Sequence, residues 1–328
     1  MKSLSRARRQ RPCRGPRAQR GVALLVAILL VALGTILAAA VAYENAMTAR
    51  RGTSTYAFDQ ALLIGQGAEA LAASGLRQIR QGTKSLDIYV GQGWDKPYGP
   101  LEVVPGVMLQ AGLEDLQGRF NLNNLVNRDD TPDPVQVAAF TKLLAAVGLE
   151  PKWAGYLIDW IDEDIAPSNP DGAEDSVYMG QTPPYRTANR YITSASELLA
   201  LPGFGRERYV ALAPYVTALP QGFPLNVCTA PGKVLDAFLP AGRAEFDTDQ
   251  LTKSRAETTG CFPTLANYQV AFDGRSWASA QKKFAQSSSF FRLTSFITIG
   301  SAEFNLYSLL YQDGTGAVRP IQRSFTPD

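Results

Sequence analysis

The run from Val22 to Tyr43 is 22 residues without a charge, and it follows directly on a leader ending at Gly21 that holds eight basic residues and no acid. As a helix rising roughly 1.5 Å per residue, that run reaches about 33 Å, enough to cross a hydrocarbon layer of ~30 Å. The charge of the leader would hold the N-terminus on the cytoplasmic side of a membrane and place the remainder across it. Beyond the leader, 24 Lys and Arg face 30 Asp and Glu, so the formal +2 of the whole chain conceals an acidic body and does not argue for nucleic acid.

A secretory signal competes for this N-terminus, because Ala38, Ala40 and Ala42 could supply its small-residue cleavage site. The apolar run is long for a signal, and the helical pattern continues past it. Glu44 to Gln81 has no proline and spaces Phe58, Leu62, Ala68, Leu71, Leu76 and Ile79 so that one face can be apolar. The spacing predicts one long helix, apolar all round over 22–43 and amphipathic afterwards.

Short apolar runs follow at Leu101 to Val104 and Val107 to Leu113, broken by Pro105-Gly106, and read as strands. Gly118 to Leu125 reads as a turn and edge leading out of that sheet. Helical spacing then takes over: Val137, Phe140, Leu143, Leu144 and Val147 share one face, and Trp153, Leu157, Ile158 and Ile161 another. Ser194 or Ser196 can cap Glu197 to Ala200, Arg206 to Tyr215 reads as a further helix, and Thr229-Ala230-Pro231 opens one through Phe238. At the C-terminal end Phe290 to Ile299, Glu303 to Tyr311 and Ala317 to Ser324 are strand-like, with Asp313-Gly314 as a hairpin turn. A sheet interrupted by a helical insertion explains this order, since the first strands alone would lack partners.

The chain has no histidine, which removes Ser-His and Cys-His catalysis, histidine zinc sites and the commonest general base. The densest polar cluster is Asp159, Asp162, Glu163, Asp164, Asp171, Glu174 and Asp175, in the long proline-containing loop from Asp164 to Asn189 and the helix before it. Asp159 and Asp162 stand three apart at a helix C-terminus, where negative charge opposes the macrodipole unless a cation offsets it. A hard ion with several oxygen ligands would neutralise the cluster and order the loop, and calcium suits an all-oxygen set better than magnesium or zinc. A solvated acidic loop and a catalytic carboxylate pair are the alternatives. The pattern is not an EF-hand, because Ile165-Ala166-Pro167 stands where that loop requires glycine.

Cys13 lies in the leader, which leaves Cys228 and Cys261 as a pair in a region that would be oxidising under this topology. They form either a disulfide or two buried thiols. Leu199 to Gly205, reading LALPGFG, is similar to the hairpin of helix-hairpin-helix DNA-binding modules. In an acidic body on the far side of a membrane it reads as a packing motif, and no nucleic acid is expected.

The junction Arg20-Gly21-Val22-Ala23-Leu24-Leu25 resembles the cleavage site of type IV pilin-like proteins, cut after glycine by a prepilin peptidase that also N-methylates the new terminus, here Val22. The segments GRFNLNNL (118–125), LIDWIDED (157–164), DGAEDSVY (171–178), PPYRTANR (183–190), SASELLALPGF (194–204) and PLNVCTA (224–230) together resemble the type II secretion system protein K family, the largest of the minor pseudopilins. Pilins usually carry glutamate five residues after the cut, where this chain has Val26, and the family resembled is the pseudopilin that lacks it.

The resemblance implies an α+β fold: a pilin-like long N-terminal helix packed on an antiparallel sheet, with a large all-α domain inserted between strands. The expected divisions are a leader over 1–21, the helix over 22–82 with 22–43 transmembrane, the sheet over 83–125 and 279–328, and the insertion over 126–278. It further implies a non-enzymatic subunit of the bacterial inner membrane, single-pass with its bulk in the periplasm. Such a subunit caps the tip of the secretion pseudopilus and helps initiate its assembly for export across the outer membrane. Expected partners are minor pseudopilins I and J, then H and the major pseudopilin G, with the prepilin peptidase acting at Gly21 and Val22. Structural calcium is implied at Asp159, Asp162, Asp164, Glu174 and Asp175. The competing reading is a membrane-anchored periplasmic binding or hydrolytic protein with its site in the acidic loop, cut after Ala40 or Ala42 or not at all.

Overall fold

The computed structural model describes residues 20–82 and 86–326. Residues 1–19, most of the expected leader, lie outside the described residues. Helix α1 runs Arg20–Gly82 without a break. Among the described residues it is the one helix long and apolar enough to cross a membrane. Residues up to Asp59 and those from Gln60 fall in two separate compact units. In the first, the positions from Val22 to Asp59 are exposed apart from the half-buried Met47 and Ala57, Phe58 included.

The second unit holds the sheet. Strands β1 (Tyr98–Val104) and β2 (Val107–Asp115) precede two short pairs, β3 (Phe120–Asn121) with β4 (Val216–Thr217) and β5 (Leu225–Asn226) with β6 (Phe284–Ala285). Then come β7 (Phe290–Ile299), β8 (Ala302–Gln312) and β9 (Val318–Ser324). The main sheet has the order β1-β2-β7-β8-β9 and is antiparallel throughout. Adding β7 beside β2 supplies the partner that the first two strands would otherwise lack.

Alternate residues of β2 point inward, and Val107, Leu109 and Ala111 pack with Leu293, Ile297 and Leu310 against Ala61, Ala68 and Leu76 of α1. The buried stripe of α1 is thus made mainly of small residues, and Leu71, expected on it, is exposed. Glu69, a charge the apolar spacing passed over, is 4% exposed on the same stripe. Its carboxylate accepts from Arg323 Nε and Nη2, both at 2.7 Å, and from Ser308 Oγ at 2.6 Å. A bidentate guanidinium and a hydroxyl satisfy a carboxylate that would otherwise be costly to bury, and they fasten the helix to β8 and β9.

Between β2 and β7 lie the remaining helices: α2 (Pro134–Ala146), α3 (Trp153–Ile161), α4 (Asp175–Tyr178), α5 (Gly205–Leu212), α6 (Gly232–Phe238), α7 (Thr248–Glu257), α8 (Leu265–Val270) and α9 (Gly274–Ala280). Asp133 caps α2 by accepting from Val135 N and Gln136 N, and Pro134 fills the first helical position, where no donor is needed. The helix expected over Arg206 to Tyr215 stops at Leu212 and finishes as a 3₁₀ turn around Pro214. Ser194 and Glu197 form a capping box, again on a 3₁₀ turn. These elements have a core of their own, with Phe120, Phe140, Leu157, Phe204, Leu235 and Tyr268 at its centre.

The segment GRFNLNNL is not an edge. Phe120, Asn121, Leu122, Asn123 and Leu125 are buried, and the asparagines serve irregular backbone that no ladder reaches. Asn123 donates to the Ile192 and Leu219 carbonyls at 2.8 Å each and accepts from Ile192 N at 2.9 Å. Asp115, buried at the end of β2, plays the same part with Thr229 and Ser288 hydroxyls at 2.6 Å and Asn226 Nδ2 at 3.0 Å. Burial pushes its carboxyl above the ordinary value, and those hydrogen bonds oppose the rise. Cys228 and Cys261 are joined by a disulfide with Cα atoms 4.8 Å apart, closing a separation of 33 residues.

Candidate metal centre

Helix α3 is apolar on most of its surface and delivers Asp159 into the interior, with Asp162 as its C-cap. Asp159 is fully buried and its carboxylate is the hub of the loop beyond. Ser168 N donates to both of its oxygens at 3.1 Å, and Ala173 N donates to Oδ2 at 2.6 Å. The chain can approach this closely because two positions lack a side chain. A Cβ on Gly172 would lie 2.2 Å from Ser168 N and 2.4 Å from Asp159 Oδ2, and one on Gly155 would lie 2.4 Å from the Asp171 carbonyl.

The folded loop brings Glu174, the N-cap residue of α4, against the helix end. One carboxylate oxygen from each of Asp159, Asp162 and Glu174 lies within 4.8 Å of the others, and all three residues are buried. Asp162 Oδ1 and both oxygens of Glu174 are buried without a hydrogen-bond partner among the described residues. Burial first, then the carboxylates of Asp159, Asp164, Glu174 and Asp130, push Asp162 up to about 7. Burial first, then Asp159 and Asp164, push Glu174 up to about 7 as well. Three carboxylates converging with unpartnered oxygens must either hold protons or share a cation. The all-oxygen donor set fits a hard divalent ion of the calcium type.

The other expected ligands sit outside that triad. Asp164 is exposed, and its Oδ1 accepts from Ala166 N at 2.6 Å. Asp175 turns away: its Oδ1 accepts from Thr187 N and Oγ1 at 3.1 and 3.0 Å, and its Oδ2 lies 3.7 Å from Arg186. Two further residues support the site without having been singled out. Asp130, at φ +64°, accepts from Glu163 N, and Asn189, at φ +45°, donates to the Asp164 carbonyl while its Oδ1 is buried without a partner among the described residues. Left-handed Asp and Asn are the local signal, and it is a conformation that sequence spacing does not reveal. Tyr178 packs on Trp160 with ring centres 5.2 Å apart.

The LPGFG segment is a plug in the neighbouring core. Gly203 and Gly205 have positive φ, Phe204 is fully buried edge-on to Trp153 at 5.1 Å, and Arg208 donates to the Gly203 and Phe204 carbonyls at 3.0 Å.

The raised carboxyls predict a pH response in the metal-free protein. A group whose folded value exceeds its unfolded one, here about 7 against 3.8 and 4.5, binds more protons folded than unfolded between those limits, so stability falls as pH rises through them. Chelated protein is therefore expected to melt higher at about pH 5 than at about pH 8. Thermal unfolding at the two pH values checks this, and the Asp162→Asn/Glu174→Gln variant should show a smaller difference, the raised Asp115 carboxyl keeping its own share.

Residues 118–221 match the model of the family described as type II secretion system (T2SS), protein K. The type II secretion system protein K of Pseudomonas aeruginosa is 32% identical, over 94% of this chain and 93% of the relative. That of Klebsiella pneumoniae is 33% identical over 90% and 93%, and that of Pectobacterium carotovorum 30% identical over 94% and 96%. Among solved structures, a chain of the GspK-GspI-GspJ complex from the type 2 secretion system of enterotoxigenic Escherichia coli has the same fold. The TM-score is 0.73 at 24% identity, covering 85% of this chain and all of that one.

Proposed function

The chain belongs to the type II secretion system protein K family, and from that premise we propose that it is the minor pseudopilin that caps the pseudopilus tip and helps initiate its assembly. The observation that carries this reading is identity of about a third sustained over nearly the whole length of its relatives, from the apolar N-terminal helix through the C-terminal strands. The protein acts by interaction rather than catalysis. The N-terminal helix anchors it in the inner membrane, the globular unit stands in the periplasm, and the leader is removed after Gly21 with methylation of Val22. The helical block between β2 and β7 supplies bulk that no further subunit could pass, which suits an end position. Minor pseudopilins I and J are its direct partners, as in the complex of the structural relative, with H and G following in the filament.

Calcium belongs to this reading as a structural ion, held by Asp159, Asp162 and Glu174, with Asp164 and Asn189 beside them. It would supply the positive charge that three buried carboxylates lack. Asp159 meanwhile fixes the loop through Ser168 N and Ala173 N.

Co-expression with minor pseudopilins I and J from the same genome tests the assignment. The three chains are expected to co-purify as one species by size-exclusion chromatography, and deletion of this chain should abolish secretion. A chain that stays monomeric with both partners and is dispensable for secretion would refute it.

A further inference from the structure

A cleft of about 400 Å³ with a mixed polar and apolar lining opens beside the start of α2. Its walls are the turn from Asn124 to Arg128, the first turn of α2, the chain from Gln221 to Pro224, and the stretch from Ser279 to Lys283. Those walls are set by internal bonds. Asn124 Oδ1 accepts from Gly222 N at 2.8 Å, Asn124 Nδ2 donates to the Phe223 carbonyl at 2.9 Å, and Gln221 donates to the Val126 carbonyl. Asp133, the one carboxylate lining the cleft among the described residues, is engaged with Lys283 and with the N-terminus of α2.

Two features of the lining are not used by the fold. Gln136 is 3% exposed as a residue and lines the cleft, and its side-chain amide, which makes no hydrogen bond among the described residues, opens onto the cleft rather than being sealed in. An amide on a cleft wall is served by water, or by a ligand that reproduces the water's hydrogen bonds. At the rim, Arg128 and Lys282 are exposed and make no ion pair among the described residues. This cationic edge stands on a body in which acids outnumber bases, so it runs against the general charge.

We propose that this cleft binds an acidic peptide segment of another protein. The Gln136 amide, which can donate and accept at once, pairs with its main chain, while Arg128 and Lys282 take its carboxylates. A lone inorganic anion would satisfy the cations but not fill a space in the range of peptide and small-ligand sites.

Fluorescence anisotropy on the full chain in detergent micelles tests this, with a short fluorescein-labelled peptide alternating glutamate and glycine as probe. Saturable binding is expected at physiological ionic strength, with the matched glutamine–glycine peptide binding at least about tenfold more weakly. The Arg128→Ala/Lys282→Ala variant, altered only at exposed positions, should weaken binding about tenfold, the scale of two exposed ion pairs lost together. Gln136→Leu should weaken it about fivefold with the cations intact, and Lys253→Ala, on α7, should leave it unchanged. Equal binding of the uncharged peptide, wild-type affinity in the double variant, equal loss in Lys253→Ala, or full displacement by millimolar inorganic phosphate would each overturn the proposal.

Discussion

Treating the folded protein with a chelator is expected to lower its melting temperature by roughly 5–10 °C, the outcome of calcium held by the triad. A site saturated at about a hundred times its dissociation constant adds ~2.7 kcal/mol, and a unit of this size shifts by about 2–4 °C per kcal/mol. The loss should be local as well as global, with new proteolytic cuts between residues 159 and 178. Without the ion nothing offsets the buried oxygens of Asp162 and Glu174. Replacing the charge tests the same point from the protein side. Glu174→Gln should abolish most of the response to chelator, whereas Glu163→Gln, at an exposed neighbour, should keep it. Gly172→Ala changes no ligand but would drive a Cβ into Ser168 and Asp159, so it too should lose calcium binding. A melting curve and digestion pattern indifferent to chelator would mean that the triad holds protons instead.

The acidic site shows how much a sequence can and cannot carry. Asp159 and Asp162 were legible because one lies in α3 and the other caps its end, three positions on, so the apolar helical spacing locates both. Glu174 was legible only as a member of an acidic stretch, and nothing in spacing separated it from Asp175, its neighbour. The separation comes from one peptide of backbone: Glu174 is the N-cap residue of α4 and is buried, while Asp175 is in the helix and engages Thr187. Asn189 and Asp130 contribute through left-handed backbone, which residue spacing does not reveal. The same division holds for the fold. Strands β2, β7 and β8 could be read from short apolar runs rich in strand-forming residues, and α2 and α3 from helical spacing. Glu69 could not, since its partner Arg323 is 254 positions away and turns a charge into a core residue. Nor could the buried course of residues 118–125, because side-chain amides there do what a ladder does elsewhere.

Replacing Gly21 by leucine is expected to leave a precursor that keeps its leader and to reduce secretion to background. The glycine has no side chain to keep a peptidase away from the bond before Val22, and a branched residue there would block that approach. The consequence is large because of what stays attached. The leader carries eight cations and no acid, next to 22 uncharged residues. Assembly into a filament requires the apolar helix to leave the bilayer toward the periplasm, and an uncut chain would have to draw that basic arm through hydrocarbon. Each Lys or Arg at the bilayer centre costs roughly 2.5–3.5 kcal/mol on insertion scales, so eight of them fix the precursor in place. Mass spectrometry of the mature protein should find N-methylated Val22 as its first residue. A first residue after Ala40 or Ala42 would instead identify a signal peptide, and normal processing and secretion of Gly21→Leu would remove the pseudopilin reading of the junction.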